Sequence, residues 1–181
     1  MQQPHGNSTP IGSLCVYAGS GLGERDRYLQ VARALGGELA HRGIALIYGG
    51  GNIGLMGAMA NSALAGGGTV IGIIPQALAD KELAHSGLSE LKIVASMHER
   101  KAWMAHLADA FVALPSGLGM IEEICEAATW TQLRIHQKAC GVLNVDGFFD
   151  GLLAFLDRST EEGFIRPDNR RIVLEAQERR R

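Results

Sequence analysis

Short apolar runs rich in branched residues alternate along this chain with longer segments of helical period. The pattern predicts strands over 13–18, 44–49, 69–75, 91–96, 110–115 and 139–145. Between them it predicts helices over 25–42, 54–67, 98–108, 119–135 and 148–162, with one more helix after Pro167. The stretch from 75 to about 90 reads as a polar connection. Runs such as "TVIGIIP" (69–75) are apolar on both faces, which fits strands covered above and below. Strands separated by helices fit a mainly parallel sheet of the α/β class, wound with helices on both faces. Ligands of such sheets sit beyond the carboxyl ends of the strands, where loops lead into helices.

Composition narrows the classes. A chain of 181 residues with 46% hydrophobic and 20% charged residues fits one globular domain. We assign that domain to 11–181 and read 1–10, "MQQPHGNSTP", as a loose leader without a secretory pattern. A net charge of −2 argues against nucleic acid as a partner, and "RRR" at 179–181 reads as a solvated helix end. No apolar run approaches the roughly 20 residues of a membrane span, so no membrane partner is expected. Cys15, Cys125 and Cys140 are odd in number and far apart, which fits reduced thiols and a cytoplasmic location. The six histidines are dispersed, with no H-x-x-x-H spacing, and no metal is expected.

Three glycine-rich loops leave predicted strand ends: "AGSGLG" (18–23), "YGGGNIGLMG" (48–57) and "PSGLGM" (115–120). Backbone N–H groups and the positive end of a helix dipole converge at such loops and favour anions. The second contains Gly49, Gly51 and Gly54 in G-x-G-x-x-G spacing. A dinucleotide site also needs an acidic residue about 20 positions on, and Glu38 is the sole acid between 27 and 79. The loops together therefore read as a phosphate or nucleotide cradle. Its candidate binding residues are Ser20 and Gly21, Gly50 and Gly51, and the run Pro115, Ser116, Gly117, Leu118, Gly119 and Met120.

Glu122 and Glu123 follow that third loop at once and would repel a phosphate beside them. A sugar between the phosphate and a carboxylate removes the conflict. The remaining charge of note is Arg100–Lys101, early in a helix just past a strand, where a cation opposes the helix dipole.

"YGGGNIGLMGAMA", "GTVIGIIP", "SMHERKAWM" and "LPSGLGMIEE", at this order and spacing, resemble the LONELY GUY family of cytokinin riboside 5′-monophosphate phosphoribohydrolases. The resemblance runs from about Ser13 to Ile165. It implies a Rossmann-like, doubly wound fold, usually dimeric, that hydrolyses the N-glycosidic bond of AMP or N6-substituted AMP to base and ribose 5-phosphate. The family pattern P-G-G-x-G-T-x-x-E aligns with Pro115 through Glu123, so the matching catalytic acid is Glu123. The family's catalytic arginine matches Arg100, with Met97 and Lys101 in the same motif on the substrate side. Glu82, in "DKELAH", matches a further acid near the ligand. A homodimer agrees with the helix at 119–135, whose Ile121, Ile124, Ala128, Trp130 and Leu133 exceed what one sheet face covers.

Ser116 and Met120 depart from the family's glycine and threonine. If the loop needs a positive φ, Ser116 strains it by about 1 kcal/mol. Met120 lacks the hydroxyl that could donate to phosphate. These departures keep a second reading open, a nucleotide-binding protein of the same fold that is catalytically weak or inactive. Sequences of this kind have also carried a lysine decarboxylase label. Of Lys81, Lys92, Lys101 and Lys138, none sits in a recognisable Schiff-base setting, and no cofactor is expected.

Overall fold

The computed structural model describes residues 10–82 and 84–177; positions 1–9 of the expected leader and 179–181 of the basic end lie outside the described residues. In chain order the elements are β1 (Ser13–Tyr17), α1 (Asp26–His41), β2 (Ala45–Tyr48), α2 (Gly54–Ala65), β3 (Val70–Pro75), α3 (Gln76–Glu82) and β4 (Glu90–Val94). After them come α4 (Met97–Leu107), β5 (Ala110–Ala113), α5 (Leu118–Gln132), β6 (Ala139–Asn144), α6 (Asp150–Glu161), α7 (Pro167–Arg170) and β7 (Val173–Gln177). The strands form one sheet in the order β4-β3-β2-β1-β5-β6-β7. Every neighbouring pair is parallel.

Consecutive strands step outward from β1 to β4, and the chain then returns to lay β5 on the other side of β1. The crevice between the loops after β1 and β5 is the switch point where such sheets bind ligands. Two apolar layers cover the sheet. Val31, Leu39, Leu55 and Met59 from α1 and α2 pack with Leu46 and Val70 on one face. Met104, Met120, Ile124 and Leu153 from α4, α5 and α6 pack with Phe111 and Val142 on the other.

Two segments differ from the sequence expectation. The polar connection after β3 contains the helix α3. The helix expected after Pro167 is a single turn, α7, and the chain then adds the seventh strand, β7. Proline suits the first turn of a helix and says nothing of its length. Only Val173 and the neighbouring Ile172 of the β7 region join the core margin, so an edge strand of this kind carries little apolar signal. It is held from β6, where the Asn144 amide donates to Glu175 at 2.8 Å.

Candidate active site

The loops after β1 and β5 and the starts of α4 and α5 enclose a cleft of about 390 Å3. Ser20, Gly21, Met97, Arg100, Gly117, Gly119, Met120 and Glu123 line it, with Ala18, Gly19, Met56 and Glu122. Pro115 and Ser116 line an adjoining hollow that shares Gly19, Gly21 and Gly117.

The two helices that frame the cleft begin differently. At α4 the Ser96 hydroxyl accepts from Glu99 N–H at 3.1 Å, and the Glu99 carboxylate accepts from Ala95 N–H at 2.8 Å. This reciprocal arrangement resembles a capping box and occupies one first-turn donor of α4, the Glu99 N–H. At α5 the capping residue is Gly117, which has no side chain to cap with. The first-turn N–H groups of Leu118, Gly119 and Met120 have no intrahelical acceptor, and they open beside the cleft. A Cβ built on Gly117 or Gly119 would meet nothing within 4 Å. The seat has room for a phosphate and donors to hold it.

Arg100, one turn into α4, is only 8% exposed. Its Nε donates to the Ile73 carbonyl and one terminal nitrogen to the Gly49 carbonyl, each at 3.0 Å. The other terminal nitrogen faces Met97 Sδ at 3.7 Å. Carbonyls at the ends of β2 and β3 therefore fix the guanidinium. Glycine at 49 is required for this, since a Cβ there would lie 2.0 Å from the guanidinium nitrogen.

Glu123, on α5, is likewise 8% exposed. Burial pushes its carboxyl up to about 7, while Arg100 opposes that rise. Glu122 points the other way chemically: its Oε1 lies 2.5 Å from Lys101 Nζ, which also reaches Glu126 at 3.0 Å. Both glutamates line the cleft, but Glu122 is paired with a lysine and Glu123 is not.

Several residues expected in the cradle are placed elsewhere. Gly50 and Gly51 are buried beneath the loop: their carbonyls accept from His85 N–H at 3.0 Å and from Tyr48 Oη at 3.1 Å. His85 braces the same loop from outside, with Nε2 3.0 Å from Asn61 Oδ1 and Nδ1 accepting from Gly87 N–H. Leu118 is 85% exposed, so only its backbone faces the seat. Lys101 is drawn to α5 and does not line the cleft. Glu82 ends α3, and its side chain lies outside the described residues.

The strain expected at Ser116 is absent. Among the described residues the non-glycine positions with positive φ are Arg134 and Asp146. Ser116 Oγ accepts from Gly19 N–H at 2.7 Å and donates to the Pro115 carbonyl at 2.6 Å, joining the loops after β1 and β5. Met120 is buried in the same apolar layer as Tyr17 and Phe111 while its edge reaches the cleft. No lysine lines the cleft: Lys92 lies over the Trp103 ring, Lys138 donates to the Ala105 carbonyl, and Lys81 is exposed on α3. Among the described residues, no three His, Cys, Asp or Glu side chains converge as a metal site would require.

The sequence reading missed Ala18, Gly19, Met56 and Glu122 as cleft residues. Gly19 lay within a loop already marked as glycine-rich, and Glu122 was visible but set aside for its neighbour.

Comparison with known proteins identifies the chain's relatives. A family model described as "Possible lysine decarboxylase" matches residues 56–181. The cytokinin riboside 5′-monophosphate phosphoribohydrolase LOG of Oryza sativa subsp. japonica is 51% identical over 163 residues, covering 90% of this chain and 67% of that protein. The Arabidopsis thaliana phosphoribohydrolase LOG7 is 48% identical over 163 residues, covering 90% of this chain and 75% of that one. Among solved structures, a molybdenum cofactor binding protein from Rippkaea orientalis superposes with a TM-score of 0.65 at 24% identity, covering 83% of this chain and 87% of that one. That last likeness concerns the fold alone. Fold, motif positions and close relatives converge, and the chain belongs to the LONELY GUY family, whose domain model carries the lysine decarboxylase description.

Proposed function

We propose that this protein hydrolyses the N-glycosidic bond of AMP or an N6-substituted AMP, a cytokinin riboside 5′-monophosphate, releasing the base and ribose 5-phosphate. The observation that carries this reading is Glu123, a residue only 8% exposed that lines one cleft with Arg100 and the uncapped start of α5. The phosphate takes the N–H groups of Leu118, Gly119 and Met120, with Ser20 and Gly21 across from them. The ribose then separates that charge from Glu123.

As the C1′–N9 bond breaks, its electron pair leaves with the base and positive charge builds on the ribose. The Glu123 carboxylate stabilises that charge and orients the water whose oxygen joins C1′, and the proton that water loses ends on the released base. Arg100 favours the ionised form of Glu123 and stabilises negative charge on the departing base. Met97 and Met56 supply apolar walls. No metal takes part. The protein works in the cytoplasm, without nucleic acid or membrane as partner, as a homodimer at least. Ile121 and Leu133, 38% and 62% exposed beside a buried Ile124, support that assembly.

Chromatography of purified protein incubated with AMP and with adenosine tests the reading. AMP releases adenine, adenosine does not, and chelator has no effect. Equal rates on the two substrates would remove the phosphate seat, and a monomer by light scattering at micromolar concentration would remove the dimer.

A further inference from the structure

Lys101 stands next to Arg100 in the chain, yet its amine turns away from the cleft to α5. Its side chain is 12% exposed and bridges Glu122 at 2.5 Å and Glu126 at 3.0 Å. Those two glutamates are four residues apart, one helical turn, and Glu123 lies between them in sequence. Three carboxylates on two turns of one helix would otherwise repel one another. One ion-pair triad therefore joins the residue after Arg100 to the residues on either side of Glu123.

We infer that Lys101 is a positioning residue that neutralises Glu122 and Glu126, locks α4 to α5, and leaves Glu123 as the carboxylate on which the cleft's chemistry turns. This rests on the reading of Glu123 as the catalytic acid. The charged and titratable groups facing Glu123 are few. Arg100 and Lys101 from α4 favour its ionised form, while Glu122 and Glu126 on its own helix oppose it. Cys15 and Tyr17 on β1 lie beneath it, and burial holds both in their neutral forms. Arg100 is already committed to two backbone carbonyls. That leaves Lys101 as the cation that offsets the two glutamates, and it does so without touching substrate.

The test is the pH profile of kcat/KM for adenine release from AMP in the wild type, Lys101→Met, Glu122→Gln and the double variant. Alongside it, carbon-13 carboxyl NMR follows the titration of Glu123 in the ligand-free proteins, assigned by Glu123→Gln. In Lys101→Met the rising limb moves to higher pH, so cleavage at pH 6.5 falls about 3- to 10-fold and the gap narrows as the pH rises. Glu122→Gln moves the limb the opposite way, and the double variant returns toward the wild type. The carboxyl titrations follow the same order. Glu122 is 54% exposed, so its variant tests the coupling even if Lys101→Met fails to fold. A Lys101→Met enzyme slower by one factor at every pH, with raised KM and an unmoved Glu123 titration, would overturn the inference and make Lys101 a substrate ligand. If Glu123→Gln retained activity while the titrations moved, the catalytic reading would fall and the charge coupling would stand.

Discussion

Two of the three glycine-rich loops, those after β2 and β5, use glycine for opposite purposes. In the loop after β2 the glycines are occupied by protein. A Cβ at Gly49 would strike the Arg100 guanidinium, and one at Gly54, where φ is +64°, would lie 2.1 Å from the Ser20 carbonyl oxygen. In the loop after β5, Gly117 and Gly119 face open space, and the helix behind them has unused donors. The first loop is a socket for a side chain and the second a seat for a ligand. A glycine motif alone does not distinguish the two; what fills the missing Cβ position does.

The largest effect expected falls on the residue between seat and socket. Glu123→Gln should lower kcat on AMP about 100- to 10,000-fold while AMP binding persists, read by single-turnover kinetics and calorimetry. The same variant should be more stable than the wild type at alkaline pH. The native carboxyl is raised from 4.5 to about 7, so its neutral form is the one the fold accommodates. Its contribution is present in full below pH 4.5 and is lost as the pH rises through about 7. Above pH 7 the glutamine variant should therefore gain about 1–3 kcal/mol in urea unfolding, and at pH 4.5 the gain should vanish. Equal stability at both pH values would mean that the carboxyl is hydrated in the native state.

Gly49→Ala comes next. The added methyl must displace a buried guanidinium, costing about 2–4 kcal/mol of stability and most of the activity. Gly119→Ala is the matched experiment on the other loop. Its backbone does not need a positive φ and its Cβ has space. Stability should hold or rise by up to about 1 kcal/mol, while AMP affinity falls roughly tenfold as the methyl enters the seat. If Gly119→Ala unfolds the protein and Gly49→Ala does not, the contrast between socket and seat is wrong.

The smallest effect tests the joint between the loops. Ser116→Gly would restore the family's residue, and with a strained serine it should help. The structure reverses that expectation, because Ser116 Oγ receives the Gly19 N–H. Losing this bond should cost about 1 kcal/mol, or roughly 3 °C in Tm, and should loosen AMP binding slightly. An increase in Tm would restore the idea of a strained loop.

What the sequence determined by itself follows from short-range physics. Apolar runs and helical periods report which positions are buried, so six strands and the principal helices were legible, and with them the sheet edge where ligands bind. Glu123 and Arg100 could be picked out as cleft residues because their motifs are contiguous. The tertiary structure decided everything that depends on distant segments meeting. Gly49 accepts from an arginine 51 positions away, and Ser116 ties to a glycine 97 positions away. Lys101 reads as a cleft residue beside Arg100 until α5 is packed against α4 and captures it. The strand β7 has so weak an apolar pattern that its place depends on β6 being there to pair with. Burial leaves a periodic trace along the chain, whereas a hydrogen bond between remote loops leaves none. The sequence therefore named the groups proposed to react, and packing decided which of the neighbouring charges are paired.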